Sequence, residues 1–225
     1  MKTKPIIMSA PMVCALLDGS KTQTRRIIKP QPPNIRTEIH MFSGEVKFLD
    51  DEYFKYHQCP YGQPGDLLYV RESFFISRRE DEYGAHYYKA TDGKYEYIKW
   101  KPPIHMPRTA SRLTLEIIGV HVERLQDIND SDCLAEGLRH GGCSGDGYWV
   151  ATDEPDFEEC TNVHYDEYGH NGVPPEKRAY KQLWESINGA GSWDANPFVW
   201  VIEFKPHLMN VDDFISNAAL CGEYG

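Results

Sequence analysis

Arg112-Leu-Thr-Leu-Glu-Ile-Ile-Gly-Val-His-Val-Glu-Arg-Leu125 carries the strongest strand signal in the chain. Its apolar residues alternate with polar ones, as on a strand with one buried face. The alternation breaks near Gly119, where a bend or bulge would curl a sheet toward a barrel. Working outward, Leu67 to Ile76 reads as a second clear strand after the turn-rich Cys59 to Asp66. Val70, Glu72 and Phe74 then share one face, and Tyr69, Arg71 and Ser73 the other. Pro5 to Met8, Gly84 to Ala90, Tyr95 to Trp100 and Asn196 to Phe204 complete the predicted strands.

The predicted helices are short and lie between these strands. Ser9 is placed to cap an apolar patch at Met12, Leu16 and Leu17 that ends at Asp18-Gly19. Asp127 to Gly137 has acidic residues in its first turn and glycine at its end. Glu176 to Ile187 repeats apolar residues at helical spacing. Long alternating βα units are missing, so the pattern predicts an α+β fold: a small β-barrel with short peripheral helices and surface insertions, not a doubly wound sheet. Ser20 to Arg26 is predicted as a turn or the start of a strand, open to a ligand.

Hydrophobic residues make up 40% of the 225, enough for one substantial core and outside the disordered class. A single domain over 1–225 with insertions at about 34–58 and 138–175 is expected. The six cysteines form no CxxC pair, and no apolar run reaches the roughly 18 residues of a membrane span, so a cytoplasmic protein with reduced thiols is expected. A net charge of −10 excludes a broadly basic duplex-binding surface. Positive charge gathers locally at Lys21, Arg25, Arg26 and Lys29, and 146–167 is acidic.

Gly19-x-Lys21-Thr22-x-Thr24-x-Arg26 after an apolar helix, followed by Gly62-x-Pro64-Gly65-Asp66-x-Leu68-x-Val70-Arg71-Glu72, resembles the ASCH family of the PUA-like superfamily. Ser111-Arg112-x-Thr114-Leu115-Glu116, Ala135-Glu136-Gly137, Leu183-Trp184-x-x-Ile187 and Asn196-Pro197-x-Val199-Trp200-Val201 extend the resemblance to the longer ASCH proteins of tailed bacteriophages and prophages. It implies a PUA-like barrel whose cleft accepts RNA or a modified nucleoside. Some bacterial members are amidohydrolases acting on N4-acetylcytidine. Their catalytic lysine, threonine and glutamate are matched by Lys21, Thr24 and Glu72. Other members are RNA-binding modules or ribonucleases.

Amide hydrolysis needs a nucleophile, a proton acceptor and stabilisation of the oxyanion. Thr24 as nucleophile, Lys21 as base and Glu72 as proton relay would supply the first two. A lysine serves as base only when burial or neighbouring cations such as Arg25 and Arg26 depress its pKa. Arg26 would hold a phosphate or the oxyanion, and Tyr61 or Phe74 would stack on a base. The competing function is a binding module for single-stranded nucleic acid, RNA favoured, in which Lys21, Arg25 and Arg26 touch phosphate or base edges without breaking a bond. A purely structural account makes Lys21 and Glu72 an ion pair and Thr24 a turn hydroxyl. A nuclease ranks last, for want of a carboxylate cluster. His140, Cys143, Cys160 and His164 offer the ligand set of a structural zinc, but without a close CxxC pair the site is read as needing no metal and no cofactor.

Overall fold

The computed structural model describes residues 1–32, 37–39, 46–48, 58–77, 83–95, 97–141, 148–150 and 175–222. Five strands form the main sheet in the order β1-β5-β8-β11-β2: β1 (Thr3–Ile7), β2 (Gln23–Ile27), β5 (Leu67–Arg71), β8 (Thr114–Arg124) and β11 (Phe198–His207). β1 runs parallel to β5, and the remaining pairs are antiparallel. Short hairpins join β3 (Thr37–Ile39) to β4 (Val46–Phe48), β6 (Phe74–Ile76) to β7 (His86–Tyr88), and β9 (Arg139–Gly141) to β10 (Tyr148–Val150). The helices are α1 (Ala10–Leu17), α2 (Lys89–Asp92), α3 (Asp130–Ala135), α4 (Pro175–Asn188) and α5 (Val211–Gly222).

The break at Gly119 is a bulge. Glu203 of β11 faces Gly119 while Phe204 faces Ile117, which leaves Ile118 unpaired and exposed. One extra residue restores the apolar face: Leu113, Leu115 and Ile117 point inward before it, and Val122 after it. The sheet therefore has two buried faces. Phe198, Trp200, Ile202 and Phe204 join Ile6, Leu68, Val70 and α1 in one core, while Val199 and Val201 join Cys133 of α3 and Tyr180 and Trp184 of α4 in the other. The inward run at Leu67 to Ile76 comes in two pieces. The Glu72 N–H turns to the Met106 sulfur at 3.2 Å and the Ser73 carbonyl accepts from Lys89, so β5 stops and β6 starts a separate hairpin.

An α+β fold is what forms, but among the described residues the ladder does not close into a barrel: β1 and β2 are both edges of the sheet. The segment Tyr95 to Trp100 is not a strand. Its described residues turn, Ile98 is buried, and Lys101 alone bridges to Phe74 ahead of the two prolines. Gly84 to Ala90 shortens to β7 and then winds into α2, whose start is held by Asp92 accepting from the Tyr88 N–H at 2.9 Å. No helix among the described residues is long and apolar enough to cross a membrane. Cys143, Cys160 and His164, and the side chain of His140, lie outside what is described.

Candidate functional site

A cleft of about 560 Å³ wraps the free edge of β2. Met12 of α1, Tyr61 and Trp200 line it on one side of the strand, and Tyr180, Leu183 and Trp184 of α4 on the other. Its size suits a nucleoside-sized ligand. The edge itself is unusual. Phe204 N–H donates to the Thr22 carbonyl at 2.9 Å and Ile28 N–H to that of Phe198 at 3.1 Å, so the even-numbered residues of β2 spend their backbone groups on β11. The N–H and C=O groups of Arg25 and Ile27 therefore point away from the sheet, at two positions that line the cleft.

Lys21 arrives beneath this edge because Gly19, at φ +80°, turns the chain out of α1. Lys21 N–H then donates to the Ala15 carbonyl at 2.9 Å and Thr22 N–H to that of Ala135 at 2.8 Å, which lays the chain along the end of α3. Gly137, at φ +94°, lets the two come together, since a Cβ there would sit 2.8 Å from that of Ala15 and 3.1 Å from that of Lys21. Lys21 is wholly buried, and its ammonium donates to both the carbonyl and the carboxylate of Glu136, each at 2.7 Å. Burial pushes its pKa below the usual lysine value; Glu136 opposes that shift, while Arg26 and Arg25 add to it.

Arg25 anchors the same network. Its guanidinium donates to Glu123 at 2.6 Å, Asp132 at 3.0 Å and Glu136 at 3.2 Å, and to the Gln23 side-chain Oε1 at 3.3 Å. Tyr180 donates to Glu136 at 3.5 Å, and burial raises its hydroxyl pKa well above the ordinary value. Glu136 and Tyr180 both line the cleft. With most of its donors committed, Arg25 braces β2 against α3 and is poorly placed to serve as a substrate ligand.

Thr24 also lines the cleft, and its hydroxyl makes no hydrogen bond with any described residue. Arg26 donates to the Ile7 carbonyl at 2.9 Å, and its Nε is buried without a partner. The indole N–H of Trp184, a residue 4% exposed, is likewise buried and unpartnered. Two orphaned donors on residues of one cleft mark a place where a ligand's acceptors would be welcome.

Glu72 and Phe74 are elsewhere. Glu72, 1% exposed, accepts from Arg112 Nε at 2.8 Å and Nη2 at 3.0 Å, and does not line the cleft. Burial raises its pKa while Arg112 opposes the rise. The expected Lys21 and Glu72 pair does not form, because β5 ends beside Arg112, just ahead of β8, while Lys21 lies against the end of α3. Phe74 is a core residue with Met106 and Ala110, and no stacking surface for the cleft. Tyr61 is half-buried and lines the cleft.

Sequence reasoning missed Glu136 and Tyr180 as site residues. The Ala135-Glu136-Gly137 helix end was the available signal for the first, and Tyr180, one helical turn before Trp184, for the second. Comparison with protein-family models, curated proteins and solved structures yields no match.

Proposed function

We propose that the chain is a PUA-like protein of the ASCH type, with a small barrel left open between β1 and β2, whose cleft takes a nucleobase and removes an acyl group from the N4 position of cytosine. The observation that carries this reading is Thr24, an uncommitted hydroxyl on the cleft wall close in sequence to a buried lysine of lowered pKa. In this mechanism Thr24 Oγ1 adds to the acyl carbon and gives its proton to the Lys21 and Glu136 pair. Arg26 steadies the developing oxyanion, and the proton returns to N4 as cytosine leaves. Water then releases the acyl group from Thr24. Glu136 takes the carboxylate role first expected of Glu72, which its bidentate bond to Arg112 occupies.

The first test is incubation with N4-acetylcytidine and chromatographic detection of cytidine. Thr24→Ala and Lys21→Ala are expected to abolish turnover; turnover equal to the wild type would refute the mechanism. The second reading is recognition without catalysis. It is favoured by one observation: the Lys21 ammonium already donates twice to Glu136, the bonding of a charged lysine and not of a free base. Cytidine binding without turnover would select it.

A further inference from the structure

On β6, Phe74 and Ile76 face a small core with Met106 and Ala110, and Tyr88 of β7 packs beside them. The other face of this hairpin looks outward, where polar residues are the rule. It carries aromatic rings instead. Phase by phase along the surface, Phe75 lies 6.3 Å from its cross-strand partner Tyr87, Tyr87 lies 6.4 Å from Tyr95, and Tyr95 lies 5.6 Å from Tyr97. None of the four belongs to a core cluster, and Tyr97 is 78% exposed. The rings form an unbroken file, half-buried at Phe75, Tyr87 and Tyr95 and open to solvent at Tyr97.

Exposed lysines follow the hairpin in the chain. Lys89, Lys94, Lys99 and Lys101 are all exposed, and none of their ammonium groups meets a carboxylate among the described residues. Lys94 Nζ sits 5.4 Å above the Tyr95 ring. Of the two acidic residues in the stretch, Asp92 is turned to its own helix start by bonds from Tyr88 N–H and Thr91, and Glu96 lies outside the described residues. In a chain of net charge −10, exposed Lys94 and Lys99 beside Tyr95 and Tyr97 form a local anion-attracting platform. Rings that stack on bases, interleaved with cations that meet phosphates, are the equipment for a single strand; a duplex hides its base faces.

The platform also neighbours the cleft. α1 stands between them, giving Met12 to the cleft while the Cys14 thiol donates to the Ala90 carbonyl at 3.3 Å. We propose that Tyr95 and Tyr97, with Lys94 and Lys99 beside them, form a second binding surface for single-stranded nucleic acid. The two rings stack on its bases, and the two ammonium groups meet its phosphates. The partner class rests on the nucleobase reading of the cleft, but the surface is tested separately from it.

The test is fluorescence anisotropy of the full chain with labelled oligo(U), oligo(dT) and a duplex of the same length, each of about 12 nucleotides. Titrations are made at about 50 mM and about 200 mM salt. The single strands are expected to bind more tightly than the duplex, and preference for oligo(U) over oligo(dT) would assign RNA as the source. Tyr97→Ala should weaken binding roughly tenfold and Tyr97→Phe should restore it, since the exposed ring is needed for stacking and not for folding. Lys94→Gln with Lys99→Gln should lower the salt slope by about 1 to 2. Turnover of free N4-acetylcytidine should be the same in Tyr97→Ala as in the wild type, so a cleft without activity leaves the oligonucleotide result standing. The proposal is overturned if no single strand binds at the lower salt, if the duplex binds as well, or if Tyr97→Ala and the lysine variants bind like the wild type.

Discussion

At the scale of single residues, two arginines do different kinds of work. Arg25 is enclosed by Glu123, Asp132 and Glu136, and its planar fork meets all three at once, which an ammonium cannot do. Arg25→Met is expected to cost about 3 to 5 kcal/mol in chemical denaturation, because it removes the cation shared by all three carboxylates and leaves Lys21, bound to Glu136, as the lysine or arginine still paired with the cluster. Arg112 instead answers one carboxylate, Glu72, and lays its guanidinium carbon 4.0 Å from the Tyr88 ring centre. Arg112→Ala removes the group that opposes the burial-driven rise of the Glu72 pKa. The folded variant then holds a proton at a pH where the unfolded chain has lost it, so its stability falls as pH rises through that window and recovers as pH falls toward about 4.3, the ordinary glutamate value. A loss of about 3 kcal/mol near neutral pH that shrinks on acidification is expected in denaturation curves at several pH values; a loss independent of pH would mean that Arg112 acts through its contact with Tyr88 alone.

At the scale of elements, β2 is the strand on which the proposed function depends, and its outward backbone groups can be tested singly. Ile27 N–H takes no part in the ladder with β11, and proline is tolerated on an edge strand at such a position. Ile27→Pro should therefore keep the fold, read by circular dichroism, and weaken cytidine binding by about tenfold if that N–H reads the base. Binding equal to the wild type would exclude the strand edge from recognition. How such elements could be foreseen varies with the range of the forces that make them. β8 and β11 are legible because alternation is local, and the break at Gly119 marks the bulge; α1, α3 and α4 are legible from period and end signals. Tyr95 to Trp100 misleads because its β-forming residues are consumed by one buried isoleucine and a file of surface rings. α5 (Val211–Gly222) carries no recognised start signal, although Asn210 accepts from the Asp212 N–H at 2.8 Å. For the site, Lys21, Thr24, Arg26 and Tyr61 were nameable from motifs. The carboxylate that meets Lys21 was not, since Glu136 stands 115 positions away and no local pattern chooses it over Glu72. Phe74 was correctly given the buried face of its strand, but that face belongs to a different core.

At the scale of the whole molecule, one sheet separates two cores, and the cleft lies where both meet the unpaired edge of β2. The other edge, β1, returns toward it without pairing. Between them runs one side chain: Arg26 donates from Nη2 to the Ile7 carbonyl at 2.9 Å and lies 3.5 Å from the Met8 sulfur. The seam is thus held by a guanidinium where a closed barrel would have a ladder. Such a contact should contribute about 1.5 to 3 kcal/mol, the range for a hydrogen bond to a charged group, and most of that should be local to the seam. β1 is tied to the sheet on its inner side, through its parallel ladder to β5 and the Met8 N–H bond to the Arg71 carbonyl at 3.1 Å. Arg26→Ala should therefore speed hydrogen exchange at the amides of β1 and of Met8, while β8 and β11, paired on both sides and flanked by both cores, keep their protection. Arg26→Lys should recover part of the effect, because an ammonium can still donate to the carbonyl but cannot also lie along the cleft wall. Exchange at β1 that is unchanged in Arg26→Ala would mean that α1 alone holds the two edges together, and that the guanidinium is free to turn wholly toward a ligand.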